Sequence, residues 1–290
     1  MWDNDERLGE ERFQTGHMIA IYWATVARWI MMRTQRDAVA LRTPLVLVQA
    51  ADVTKPTMTI AAAKKLMNVP NPKDSGGMHG MLPLHVGMHI RLLDALDKKK
   101  TLVKDAEGEI VRIEPHADDR AKLDDAIRMG AGKVYLTKFP KGVWVRMKKY
   151  DGATFTKLLR DKCRTLLPTD TRNLVFIEPR TSDPFVHREY TVTRTGLPIS
   201  HARAITSTAC QGRTMHDGVI IDCGRQNGGP HPKEDDDWWL DMYVMLSRAT
   251  RLDDLLLLRA PEREFVAKGP PKNLRKQLAK FASRTEACRT

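Results

Sequence analysis

Cysteine is scarce in this chain: there are four among 290 residues, at positions 163, 210, 223 and 288. None forms a Cys-x-x-Cys pair, so the spacing argues against a zinc site or a disulfide framework and predicts a reducing, intracellular compartment. Long apolar runs are missing as well. The longest, at 18–32, is interrupted by Arg28 and falls short of the ~20 residues that a membrane-spanning helix needs. The N-terminus is charged where a signal peptide would be apolar, so neither a secretory leader nor a membrane partner is expected. The nine histidines lack the His-Glu-x-x-His spacing that sets two imidazoles on one helical face, and no metal site is expected. A phosphate cradle of the form Gly-x-x-x-x-Gly-Lys-[Ser/Thr], in which glycines let backbone N–H groups converge on phosphate oxygens, is also missing. The nearest imitation, Gly130-Ala131-Gly132-Lys133, has Ile127 where the first glycine belongs and Val134 in place of the magnesium-binding hydroxyl. It reads as a turn before a strand.

What is present is ordinary globular composition with an uneven charge. Hydrophobic residues make up 42% and charged ones 29%, enough for one large domain or two modest ones. The net charge is +12, and it is concentrated. Residues 120–164 hold thirteen Lys or Arg against four Asp, a net of +9, and residues 268–290 hold seven against Glu286, a net of +6. Concentrated positive charge binds polyanions by releasing phosphate counterions; the alternative is a solvated surface and a basic tail.

Along the chain, residues 1–16 are charged and read as frayed. Apolar recurrence over 17–42 predicts an amphipathic helix or a strand leading into one, and 45–50 a buried strand. Residues 68–87 read as an irregular connection, 84–93 as an alternating strand, 105–108 as a turn and 109–113 as a second strand. A short helical segment and β-rich runs at 134–138, 143–149, 174–178 and 185–193 follow, separated by Gly, Pro and Asp as in a small barrel. Lys138, Lys141, Arg146, Lys148 and Lys149 surround Trp144, and aromatics among cations can stack bases while the neighbours neutralise phosphates. Trp144 and Phe139 fit a barrel core equally well. Asp235, Asp236 and Asp237 read as a solvated acidic loop, because consecutive loop side chains rarely converge on one ion. After Pro270-Pro271, residues Leu274, Leu278 and Phe281 mark a basic amphipathic helix.

The organising stretch is 199–248. It reads Ile-Thr-Ser-Thr-Ala-Cys-Gln-Gly-Arg-Thr at 205–214, Gly-Val-Ile-Ile-Asp at 218–222, Met-Tyr-Val-Met-Leu-Ser-Arg-Ala-Thr at 242–250 and four leucines at 255–258. Short apolar runs with a helix between them predict an α/β sheet, with Gln211 and Arg248 at neighbouring loop ends where such sheets bind ligands. The Gln-Gly-x-Thr block followed by Tyr-Val-x-Leu-Ser-Arg resembles the last two motifs of superfamily-one DNA helicases of the PIF-type and RecD-like branch. The runs Pro-Leu-x-Val-Gly-Met-x-Ile-Arg-Leu at 83–92 and Leu-Val-x-Asp-Ala-x-Gly-Glu-Ile-Val at 102–111 resemble the same branch. The sequence departs from it at Thr208-Ala209-Cys210, where the branch usually has a basic pair just before Ser-Gln-Gly.

The resemblance implies a RecA-like parallel sheet, the second motor domain, over 17–113 and 197–265, with a small SH3-like β-barrel inserted at 114–196 and a basic tail from 266. It implies that Arg248 is an arginine finger, that Gln211 and Gly212 help to bind the nucleotide, and that Thr206, Ser207 and Thr208 bond nucleic-acid phosphates. Asp222, on a strand after the Gln-Gly motif, takes a structural role. ATP and magnesium are expected only with a first motor domain that carries the cradle, on this chain or another, and none is expected on this chain alone. Single-stranded DNA or RNA is the implied partner, in the nucleus or mitochondria if the source is eukaryotic. The rival reading is a non-catalytic nucleic-acid-binding or scaffolding relic.

Overall fold

A computed structural model describes residues 6–130, 132–150, 172–225 and 234–287. Residues 151–164 of the basic segment, and the first five residues of the charged N-terminus, lie outside the described residues. The chain divides into two compact units, one made of 1–26 and 204–290 and the other of 27–203. The sequence reading placed the insertion at 114–196; the packing boundary instead falls inside the Trp23–Ala40 helix and just ahead of the Ala204–Thr206 strand. Strands such as Leu45–Gln49 and His89–Leu92 therefore pack with the inserted segment, because their hydrogen-bonding partners lie there.

The first unit is built on a parallel four-stranded sheet, ordered Ala204–Thr206, His17–Ala20, Val219–Asp222, Leu255–Arg259. Its strands are short and mostly apolar, as expected where a sheet is buried on both faces. Ile19, Ile205, Val219 and Ile221 are fully buried and pack with Trp238, Met242 and Met245 of the Asp235–Leu246 helix. Parallel strands joined through helices give the α/β content of a RecA-like domain. Residues 6–16, expected to be frayed, hold a short helix, Glu11–Thr15, whose Phe13 is fully buried. Two glycines permit that contact: a Cβ on Gly16 would stand 2.0 Å from the Gly218 carbonyl oxygen, and one on Gly218 would stand 2.4 Å from that of Arg12.

The second unit is mostly antiparallel. Five strands run in the order Ile199–His201, His89–Leu92, Glu107–Glu114, Gly142–Met147, Leu174–Ile177. Val143, Val145 and Met147 alternate onto one face and join Ile90, Leu92 and Ile110 in the core. Among the described residues no pairing joins the two outer strands, so the sheet is open where a closed barrel was expected. The expected strand at 84–93 is split into Met81–Leu84 and His89–Leu92, and the expected strand at 185–193 is a hairpin, Phe185–His187 with Tyr190–Gly196. Asp119, on the Ala117–Met129 helix, accepts hydrogen bonds from the Thr137 and Lys138 N–H groups and the Thr137 hydroxyl, at 2.8–2.9 Å, and so pins helix to loop. Burial pushes its pKa up, but these bonds outweigh it, and the carboxyl lies below its usual range.

Candidate functional site

The Gln-Gly loop begins where the Ala204–Thr206 strand ends. Thr206 caps the four-residue Ser207–Cys210 helix, its hydroxyl accepting from the Ala209 N–H at 3.4 Å. A hydroxyl at this position satisfies an otherwise unpaired helical N–H. Ser207 is buried and its hydroxyl has no partner among the described residues, whereas Thr208 is exposed. Of the three hydroxyls expected to meet phosphate, only that of Thr208 stands in solvent; Thr206 is committed to its cap. Cys210 fills the core below, and burial pushes its thiol up to about 11. Thr208 and Ala209, just before it, stand where the resemblance implies a basic pair. Gln211 and Gly212 are exposed, and Gly212 adopts φ +74° with open space on its Cβ side. Glycine reaches that left-handed conformation without strain.

Arg248 lies past the end of the Asp235–Leu246 helix. The structure puts this motif at a helix C-terminus, because the helix begins earlier, at the aspartates expected to form a loop. Asp235, Asp236 and Asp237 occupy its first turn, where negative charge favours the helix dipole. The Arg248 guanidinium is held on three sides. Nε donates to the Val244 carbonyl at 2.9 Å, Nη1 to the Arg213 carbonyl at 2.8 Å and Nη2 to the Ser247 hydroxyl at 2.7 Å. The Met215 N–H donates to the Arg248 carbonyl at 3.1 Å. The segment that follows Gln211 is therefore joined to Arg248 through Arg213 and Met215, but not as two loops following neighbouring strands. The 211–215 segment, which leads into one strand, pairs with the segment that leads into the next. Sequence reasoning missed Arg213 as the anchor, since a backbone acceptor leaves no residue-type signal.

Asp222 takes the structural role expected of it. It is buried, accepts a bidentate pair from Arg259 at 2.6 and 2.7 Å, and accepts the Gly224 N–H at 2.9 Å. Its oxygens are thus committed within the fold. Among the described residues no three His, Cys, Asp or Glu side chains gather as a metal site, and no helix is long and apolar enough to cross a membrane.

The basic surface of the second unit is only partly as expected. Lys138, Lys141 and Lys149 are exposed, Arg146 is half-buried, and Lys148 is exposed but paired with Glu107 at 2.6 Å. Trp144 must be corrected. It is 3% exposed and its ring lies 4.6 Å from that of Phe176 across the strand pair. A ring covered on both faces has no surface for a base, so the core assignment holds there. Among the described residues of this segment, Tyr135 is the aromatic that stands more than half exposed.

No family model and no curated protein matches the sequence. Similar solved structures do exist. Two coordinating Pif1 helicases solved on forked duplex DNA match at a TM-score of 0.53 and 16% identity, over 93% of this chain and 45% of theirs. Bacteroides Pif1 bound to single-stranded DNA matches at 0.52 and 15%, over 93% and 46%. The same Bacteroides helicase with ADP-AlF3 and single-stranded DNA matches at 0.52 and 15%, over 96% and 48%. At these identities the likeness establishes the fold, and the chain spans about half the length of the structures it matches.

Proposed function

We propose that this chain is the second motor-domain portion of a Pif1-type DNA helicase, and that it grips single-stranded nucleic acid and supplies Arg248 to a nucleotide bound by a first motor domain, in cis or in trans. The observation that carries the reading is the bond from Arg248 to the Arg213 carbonyl, which ties the Gln211-Gly212 loop to the arginine. A single movement of either segment moves both. Arginine suits the role because it stays charged and forks onto phosphate oxygens. In the arrangement described here it is parked, and reaching a phosphate requires exchanging its three internal acceptors for phosphate oxygens. A guanidinium bonded to a phosphate carries charge on both sides and gains more than one bonded to neutral oxygens, so the exchange is favourable only when the phosphate is present.

ATP with magnesium, held by the cradle of the first motor domain, supplies the phosphoryl group to be cleaved. This chain contributes the positive charge of Arg248, the polar side chain of Gln211 and a track for the strand. We read the antiparallel sheet of the second unit as the counterpart of the small SH3-like barrel, and Lys138, Lys141, Arg146 and Lys149 as its phosphate contacts. The neighbours solved with single-stranded DNA support this reading. The engagement of Arg248 by its own unit favours a second reading, a non-catalytic nucleic-acid-binding relic. The purified chain should bind labelled single-stranded DNA but not turn over ATP. ATP turnover by the chain alone, stimulated by DNA and lost in Arg248→Ala, would overturn the division of labour proposed here.

A further inference from the structure

The hairpin formed by His89–Leu92 and Glu107–Glu114 ends in a turn that carries Lys98, Lys99 and Lys100, which the reading above does not use. Backbone bonds close its stem. The Leu96 and Asp97 N–H groups donate to the Leu102 carbonyl at 2.8 and 3.1 Å, and the Leu102 N–H donates to the Asp97 carbonyl at 2.9 Å. Leu102 is buried, and Leu96 packs on the same core. The Asp97 side chain accepts from the Lys99 N–H at 3.0 Å, and Thr101 turns the chain back at φ 60°. Three ammonium groups are thereby carried side by side on a turn fixed by its own backbone.

The carboxylates nearby are answered by other cations. Asp97 pairs with Lys100 at 3.1 Å, Asp105 with Arg91 at 2.7 Å and Glu107 with Lys148 at 2.6 Å, while Glu109 stands opposite Arg146 across the strand pair. Lys98, Lys99 and Lys104 are exposed and have no ion-pair partner among the described residues. Exposed Lys149 joins them at this end of the sheet, because the Lys148 N–H donates to the Glu107 carbonyl at 2.8 Å. Like charges fixed side by side repel, and a polyanion relieves that repulsion while shedding its own counterions.

Strand register puts the other lysines elsewhere. The Lys141 N–H donates to the Glu114 carbonyl at 2.9 Å and Gly142 pairs with Glu114, so Lys138 and Lys141 belong to the opposite end of the sheet. Glu107–Glu114 is eight residues long, and at about 3.4 Å per residue the two ends lie about 24 Å apart. No single phosphate reaches both. A strand stacked at about 3.4 Å per nucleotide covers that distance with about seven nucleotides.

We propose that Lys98 and Lys99, with Lys104 and Lys149, form a second phosphate-contacting patch, and that one single strand of nucleic acid runs along this sheet from Lys138 and Lys141 to the lysine turn. The inference rests on the strand-binding reading above and gives that strand a path and a footprint. A polymer with a charge on every unit suits two cationic patches separated by a strand's length, whereas a small anion would occupy one of them.

The test is fluorescence anisotropy of a labelled deoxythymidine oligomer longer than this span, over a salt series. It compares the full chain with Lys98→Gln/Lys99→Gln, with Lys138→Gln/Lys141→Gln and with all four changes together. Each pair should shrink the salt slope by about 1.4, about 0.7 per lysine, and the combined variant by about 2.8. Calorimetry should count one oligomer per chain. All four positions are exposed, so the far-ultraviolet circular dichroism and Tm should stay at the wild-type values. A slope lowered by the Lys138/Lys141 pair but untouched by the Lys98/Lys99 pair overturns this inference and leaves the strand-binding reading standing. Two oligomers per chain would put the patches on different strands and overturn the shared path. A matched duplex serves as the control: if only its slope responds to Lys98→Gln/Lys99→Gln, the turn belongs to paired DNA and the proposal fails. An oligomer that does not bind the wild-type chain removes the strand-binding reading and this inference together.

Discussion

At the residue scale, single side chains in this protein are tied down by specific, countable partners. Arg194 is fully buried and forks onto Asp52 at 2.7 and 2.8 Å. Asp52→Ala would leave that guanidinium uncompensated, and about 3–5 kcal/mol should be lost in chemical denaturation. Asp119 sets an acid limb. Its folded-state pKa is depressed, so its stabilisation is complete above the unfolded value of about 3.9 and is lost as pH falls through the folded value. Asp119→Asn should lose about 1–3 kcal/mol at neutral pH and flatten the stability profile below the carboxylate range, as read by denaturant midpoints across pH. Arg248→Ala removes three hydrogen bonds. It should lower stability by about 1–3 kcal/mol, so any assay of its catalytic role needs that loss measured alongside.

Elements decide which expected contacts can occur. The Gly142–Met147 strand puts Val143, Val145 and Met147 into one core and turns Trp144 to the other face, where it meets Phe176. Trp144→Ala should therefore cost about 3–5 kcal/mol of stability and should not act as the loss of one stacked base. Lys141→Ala and Lys149→Ala, at exposed positions, should leave stability near wild type. Each should shrink the salt slope of single-stranded DNA binding by about 0.7, measured by anisotropy over a salt series. Unchanged slopes for both would remove this surface from the interface. Much at this scale was legible: the helix after residue 22, the buried strand near 45 and the helix after Pro271 follow from apolar spacing alone. The hairpin within 185–193 was not, since β-branched residues run through both of its strands and only the turn at Arg188 separates them.

At the scale of the whole molecule, the order of motifs predicted a RecA-like sheet, and the parallel four-stranded sheet and the fold of the Pif1 structures agree with it. Expressed alone, the chain should bind single-stranded DNA with an affinity that falls steeply with salt and should show no ATP turnover, as read by phosphate release. Sequence by itself determined the α/β class, the strand that carries Asp222 and the proximity of the Gln-Gly and Ser-Arg motifs, because apolar period and motif order are written in local residue types. Only the tertiary structure decided that Trp144 is core and that Arg248 rests on the Arg213 carbonyl. Each depends on segments distant in the chain and on backbone or buried partners, which no residue type announces.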